Sequence, residues 1–266
     1  MRAAQAAVKF CDTVEYETRR VLIEIFCEKD STLASAAQED DWDEVIRITK
    51  EDDFELEETQ SRIKQACGRT KHPALHISMP CTPWCRLSEL NMSKSENTKM
   101  LIIAARAKSY MMLVTLRNFL RQVKEICEPV ISKEWPAGIG AWDLDVIKDI
   151  EKDHGLKHQT FEGCKVGLRV TSGPEEGLAM RKPWQIASNC AQLNAALAKR
   201  RCLGDERCDE HARIEGAKTK PSGSYPQEMS QLMVQAYNAW YEESALKKAA
   251  AGQQAEKKSK DQSCEF

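Results

Sequence analysis

The sequence contains no long apolar run. Nothing in its 266 residues approaches the roughly 18–20 consecutive apolar residues that cross a bilayer, so no membrane-spanning helix is predicted. It also lacks an excess of either charge. Lys and Arg total 39 against 41 Asp and Glu, a formal net charge of −2. No global basic field exists to hold nucleic acid, and any such contact needs a local patch. No internal repeat is present, which sets aside a solenoid. The opening segment, MRAAQAAVKFCDTVEYETRR, has no apolar core followed by a small-residue cleavage site, so no secretory signal is predicted.

What is present fits a globular chain: 42% hydrophobic and 30% charged residues, in a length suited to one large domain or two small ones. Cysteine is abundant, at 11. An odd number in a long chain without a secretory signal predicts reduced thiols in an intracellular protein rather than a disulfide framework.

Residues 1–20 read as a polar lead helix, 21–249 as the main domain and 250–266 as a polar, disordered tail. Within the domain, VLIEIFC (21–27) is a continuous apolar run, as expected of a strand buried on both faces. EVIRIT (44–49), ALHISMP (74–80), PVISKEW (129–135), FEGCKVGLRV (161–170) and PWQIAS (183–188) read as further strands. Helices are predicted over 31–40, 57–69, 97–126, 141–153, 189–201 and from Pro226 onward. This alternation predicts an α/β, Rossmann-like, mostly parallel sheet with helices on both faces. In such sheets ligands sit beyond the carboxyl ends of the strands.

The stretch HISMPCTPWCRLSELN (76–91) stands out. A short apolar strand ends in Pro80-Cys81, and Pro83 follows, a stiff turn able to hold a thiol clear of the sheet. About fifty residues later another strand ends in Glu134-Trp135-Pro136. This order is similar to the cytosine-5 DNA methyltransferases, with LIEIF (22–26), SMPCTPW (78–84) and SKEWP (132–136) matching three of their strand-end motifs. GAKTKPSGSYPQEM (216–229) resembles that family's closing motif. The longer set of PCTPW, Asn91, EWP, GAW (140–142), EGCKVGL (162–168), KPW (182–184), Cys202…His211 and YP (225–226) resembles methyltransferase-like domains of protist retroelement polyproteins, dinoflagellates among them.

The resemblance implies a methyltransferase-type fold, S-adenosylmethionine as cofactor, DNA as partner and hence a nuclear setting. It implies Cys81 as a nucleophile that adds to carbon 6 of cytosine, making carbon 5 able to accept a methyl group. It implies Glu134 as the acid that hydrogen-bonds ring nitrogen 3, a role suited to a carboxyl whose pKa burial has raised. The base would have to leave the duplex stack to reach them. Glu24, Phe26, Asp53 and Ser78 become cofactor candidates, and Pro80, Trp84 and Trp135 substrate-binding candidates.

Two departures keep a second reading open, that of a mobile-element-derived binding or assembly module without catalysis. The segment after the first strand, CEKDSTLA, carries no glycine to let backbone approach a ligand. Only residues 171–181 and 203–224 could recognise a target, and the nearest basic patch is Lys199-Arg200-Arg201 with Lys218 and Lys220. Cys202, Cys208 and His211, with Cys190 or Cys164 as a fourth, offer zinc ligands at a looser spacing than the usual C-x2–4-C, so no metal ligand is assigned.

Overall fold

The computed structural model describes residue 16 and residues 18–263 without 205–207, 209 and 220; for 217, 249 and 251–263 it describes backbone alone. The lead helix expected over 1–20 falls almost wholly outside these residues.

Strand β1 (Val21–Cys27) is buried along nearly its whole length, as its apolar run requires. Helix α1 (Thr32–Glu39) starts at Ser31, whose side chain accepts from the Ala34 N–H and so satisfies one orphan donor of the first turn. Strand β2 (Glu44–Thr49), helix α2 (Glu57–Cys67) and the short strand β3 (Ala74–Ile77) follow. A 3₁₀ turn over Thr82–Trp84 leads into helix α3 (Arg86–Asn91) and the long helix α4 (Glu96–Ile126). Strand β4 (Val130–Pro136), a 3₁₀ turn over Gly140–Asp143, helix α5 (Asp145–His154) and strand β5 (Lys157–Glu162) come next. Strand β6 (Pro183–Ser188), helix α6 (Ala191–Ala198) and helix α7 (Gln227–Ser263) close the chain. Helix α7 therefore continues through most of the residues whose composition predicts a disordered tail.

The six strands form one sheet in the order β2-β1-β3-β4-β6-β5. It is mixed: five strands run one way and β6 alone runs against them. β1 pairs parallel with β2 and β3, and β3 with β4, but β6 runs antiparallel to both β4 and β5. The reason is the connection. A parallel return needs a crossover, usually helical, and residues 163–182 contain only a 3₁₀ turn and an isolated bridge.

The strand expected over 161–170 is displaced. β5 starts earlier, on the polar residues Lys157–Thr160, and ends at Glu162. The chain then tightens into a 3₁₀ turn over Gly163–Val166. A Cβ on Gly163 would come 2.7 Å from the Leu168 side chain, and Gly167 sits at φ +88°. The left-handed φ at Gly167 favours glycine, a side chain at Gly163 would crowd Leu168, and neither position suits a continuing strand.

Helices cover both faces. One core joins β1, β3 and β4 to α2, α4 and α5 through Ile23, Ile63, Leu116, Phe119 and Ile147. The other joins the opposite face to α1, α6 and α7 through Leu22, Leu33, Leu193 and Met233. Among the described residues no helix is long and apolar enough to cross a membrane, and every described cysteine is a free thiol.

Candidate functional site

The sheet order reverses at β1. β2 lies on one side of it and β3 on the other, which makes the gap beyond the carboxyl ends of β1 and β3 the topological switch point, the usual ligand crevice of an open α/β sheet. Phe26 stands one residue before the end of β1 there, Ser78 to Cys81 leave β3, and Glu134 stands near the end of β4.

A row of polar residues crosses the sheet interior beneath this edge. Strand register aligns Arg47, Glu24, His76, Ser132 and Ser188 side by side. Glu24, His76, Ser132 and Ser188 are all buried. Unpaired polar groups are costly there, and the residues pair instead. His76 Nδ1 lies 2.7 Å from Ser132 Oγ, and Nε2 lies 2.9 Å from the Tyr225 hydroxyl. Ser132 Oγ lies 2.5 Å from the Tyr237 hydroxyl. Tyr225 also meets Ser78 Oγ at 2.8 Å and donates to Glu134 Oε2 at 3.1 Å. Burial pushes the His76 imidazole down to about 3, so it is neutral.

Glu134 is buried, and its second oxygen, Oε1, has no hydrogen-bond partner among the described residues. Burial raises its pKa, opposed by the Lys182 charge, the Tyr225 hydroxyl and the Lys133 charge. Cys81 is half-buried, at the start of the 3₁₀ turn. Burial and then the Glu134 charge raise its thiol, against Lys182, which favours the thiolate. The three groups thus share one electrostatic environment. Lys182 is held there by donating to the Ser222 carbonyl at 2.7 Å, and Thr32 donates to the Tyr225 carbonyl at 2.9 Å. The segment around 222–225 is therefore strapped across the carboxyl edge.

The other expected site residues divide. Glu24 is buried, its carboxylate accepts from Ser31 at 2.5 Å, and burial raises it to about 7, opposed by that hydrogen bond. It supports the start of α1 from below. Phe26 is half-buried and takes a left-handed φ of 66°, the backbone turn a glycine would normally supply. Asp53 is exposed beyond β2 and accepts from the Glu55 N–H at 3.1 Å. Pro80 is exposed. Trp84 turns onto α4, its indole donating to Ser109 at 2.9 Å with Arg106 over its ring.

Trp135 departs from its expected role as a substrate wall. Strand alternation puts it on the face opposite Glu134. There it is buried, and its indole donates to the Met79 carbonyl at 2.6 Å. Beside it lies Lys133, fully buried, its Nζ over the Trp135 and Trp142 rings. Three members of the basic patch lie near carboxylates, while Lys199 is exposed. Arg201 approaches Glu162, Arg200 approaches Glu228 and Lys218 pairs with Glu175; Lys220 lies outside the described residues. A hollow of about 470 Å³, lined by His72, Cys127, Glu128 and Trp240 among others, opens at the other, amino-terminal edge of the strands and is remote from this chemistry.

His76, Lys182 and Tyr225 escape a reading of the sequence as site residues. One signal was there: a histidine in the middle of ALHI occupies a strand otherwise buried on both faces, so it requires a polar partner from elsewhere. No protein-family model, curated protein or solved structure matches the chain.

Proposed function

We propose that this chain is a methyltransferase-type domain that uses S-adenosylmethionine and acts on carbon 5 of cytosine in DNA, with Cys81 as nucleophile and Glu134 as the acid at ring nitrogen 3. One observation carries this reading: beside the switch point, a buried carboxyl with one oxygen that lacks a partner among the described residues shares its surroundings with a half-buried thiol and a lysine. A buried oxygen without a partner is what an incoming ligand group would satisfy. The mixed sheet, with β6 reversed between β4 and β5, supports the methyltransferase-type fold.

The residues at the crevice fit an adenosyl cofactor in kind: the half-buried ring of Phe26 offers an apolar wall and the exposed Asp53 a hydroxyl acceptor. When bound, the cofactor supplies an electrophilic methyl group. The chain's own part is to hold the base and move its charge. Burial keeps a proton on Glu134 to higher pH than an ordinary carboxyl, so it can donate to ring nitrogen 3 as negative charge builds there. Cys81 rests as a thiol; its proton passes to solvent, and Lys182 stabilises the thiolate that remains. Pro80 and the 3₁₀ turn fix the direction of the sulfur.

A second reading, a binding module without catalysis, is favoured by the glycine-free turn after β1, where Glu28, Lys29 and Asp30 are all exposed, and by the ion pairs that Arg201 and Lys218 make in the basic patch.

Thermal unfolding with added S-adenosylmethionine separates the two, because a ligand of the folded state raises its stability by mass action. A rise is expected; no rise at millimolar cofactor eliminates the enzyme. A 5-fluorocytosine oligonucleotide should then trap a covalent adduct with the wild type and none with Cys81→Ser. An equal adduct in the variant would remove Cys81 from its role.

A further inference from the structure

Away from the crevice, four metal-binding side chains meet. The Sγ atoms of Cys164, Cys202 and Cys208 and a ring nitrogen of His211 all lie within 4.8 Å of one another. Cys164 comes from the 3₁₀ turn after β5, and the other three from the irregular segment after α6. We propose that these four residues bind one zinc ion in a closed, structural site that pins the 202–224 segment to the edge of the sheet.

The geometry suits a tetrahedron. With Zn–S of about 2.3 Å and Zn–N of about 2.0–2.1 Å, a tetrahedral edge from sulfur to nitrogen spans about 3.6 Å. Cys202 Sγ and His211 Nε2 stand 3.5 Å apart. The three thiols are buried and the imidazole half-buried. A three-sulfur, one-nitrogen donor set selects zinc over the harder divalent ions. Four protein ligands leave no open position, so the ion would hold structure and not activate water. On binding, the three thiols become thiolates and their protons pass to solvent.

Ordinary packing explains the cluster poorly. Among the described residues, Ala179 is the only other buried hydrophobic residue in this satellite core. The segment contains no α-helix among its described residues, only two 3₁₀ turns and the bridge between Ala179 and His211. Little apolar burial is on hand to keep three thiols in contact, and a metal supplies what a small core cannot. Cys190, the other possible fourth ligand, is buried elsewhere, in the core beneath α6 and α7. The same segment goes on to deliver Ser222 to Lys182 and Tyr225 to Glu134. The zinc site thus anchors the strap over the crevice, and it stands whether or not the domain methylates.

The test is the metal content of the full chain, purified under reducing conditions from zinc-supplemented medium. One zinc per chain is expected, lost in Cys164→Ser and Cys208→Ser and kept in Cys190→Ala. Should the ligand variants fail to fold, the wild type alone decides. X-ray absorption at the zinc edge should report three sulfurs and one nitrogen, and cobalt(II) in its place should give the intense visible absorption and thiolate charge-transfer band of a tetrahedral site. A wild type that holds neither metal, zinc retained by Cys164→Ser, or a disulfide among the three cysteines would overturn the assignment.

Discussion

The Tyr225 hydroxyl donates to Glu134 Oε2 across 3.1 Å, joining residues 91 apart in sequence. That one direction orders a chain of protons. With its hydrogen committed to the carboxylate, Tyr225 accepts from Nε2–H of His76, whose Nδ1 must then accept from Ser132, which in turn accepts from Tyr237. The imidazole is thereby fixed as the Nε2–H tautomer. Two tyrosines from the carboxy-terminal part of the chain complete a polar row laid down by the sheet.

Tyr225→Phe tests this chain. It removes the donor to Glu134 and the acceptor for His76, leaving both with an unmet group in a buried setting. A loss of about 1–3 kcal/mol is expected, read from urea unfolding. The hydroxyl also lowers the Glu134 pKa, so without it the carboxyl keeps its proton to higher pH. The alkaline limb of adduct formation with the fluorinated oligonucleotide should therefore move upward. A variant as stable as the wild type, with an unmoved limb, would show that the hydroxyl orders nothing.

Phe26 gives a second test, of backbone rather than side chain. Its φ of 66° and the skipped register between Ile25 and Cys27 form the turn that a glycine would make without strain. A left-handed conformation costs a side-chain-bearing residue roughly 1–2 kcal/mol. The ring offsets this by packing edge-on to Phe54 at 5.0 Å, and Phe54 in turn meets Phe119 at 5.2 Å. Both Phe26→Gly and Phe26→Ala lose the ring. In an ordinary strand alanine is the better residue by about 0.5–1 kcal/mol. Here the order should invert, with the glycine variant melting at the higher temperature. The usual order would mean the turn holds no strain.

Much of the sheet is legible in the sequence because its strands carry a strong pattern. β1, β2 and β6 begin and end where apolar runs or alternation do. β5 is not legible: it is an edge strand begun by Lys157, His158, Gln159 and Thr160, and polar edges protect a sheet from further pairing. The antiparallel placement of β6 depends on what lies between the strands rather than on the strands. In the candidate site, Cys81 and Glu134 draw notice in the sequence because Pro80-Cys81 and Glu134-Trp135-Pro136 close predicted strands. The period of two that places Glu134 toward Tyr225 also turns Trp135 away. Tyr225 and Lys182 are hidden because they come from irregular segments, where no periodicity tells which way a side chain points.

Lys133 gives the last test. Its side chain is fully buried, and Nζ has no hydrogen-bond partner among the described residues beyond the faces of Trp135 and Trp142. Burial drives its pKa well below 10.5, only partly opposed by Glu134 and Glu151. The sign follows. Below pH 10.5 the unfolded chain holds a proton that the folded chain binds far less readily, so this group lowers stability at neutral pH and stops doing so as the pH climbs toward 10.5. Met has a similar length and nothing to desolvate. Lys133→Met should be more stable than the wild type at pH 7, because it removes a buried group whose charged form is strongly desolvated. Its advantage should shrink steadily toward pH 10, as urea unfolding at a series of pH values would record. A variant weaker than the wild type at pH 7 would mean that the contacts of the amine with the two indoles outweigh its desolvation. A gap constant with pH would mean that Lys133 folds with its proton on.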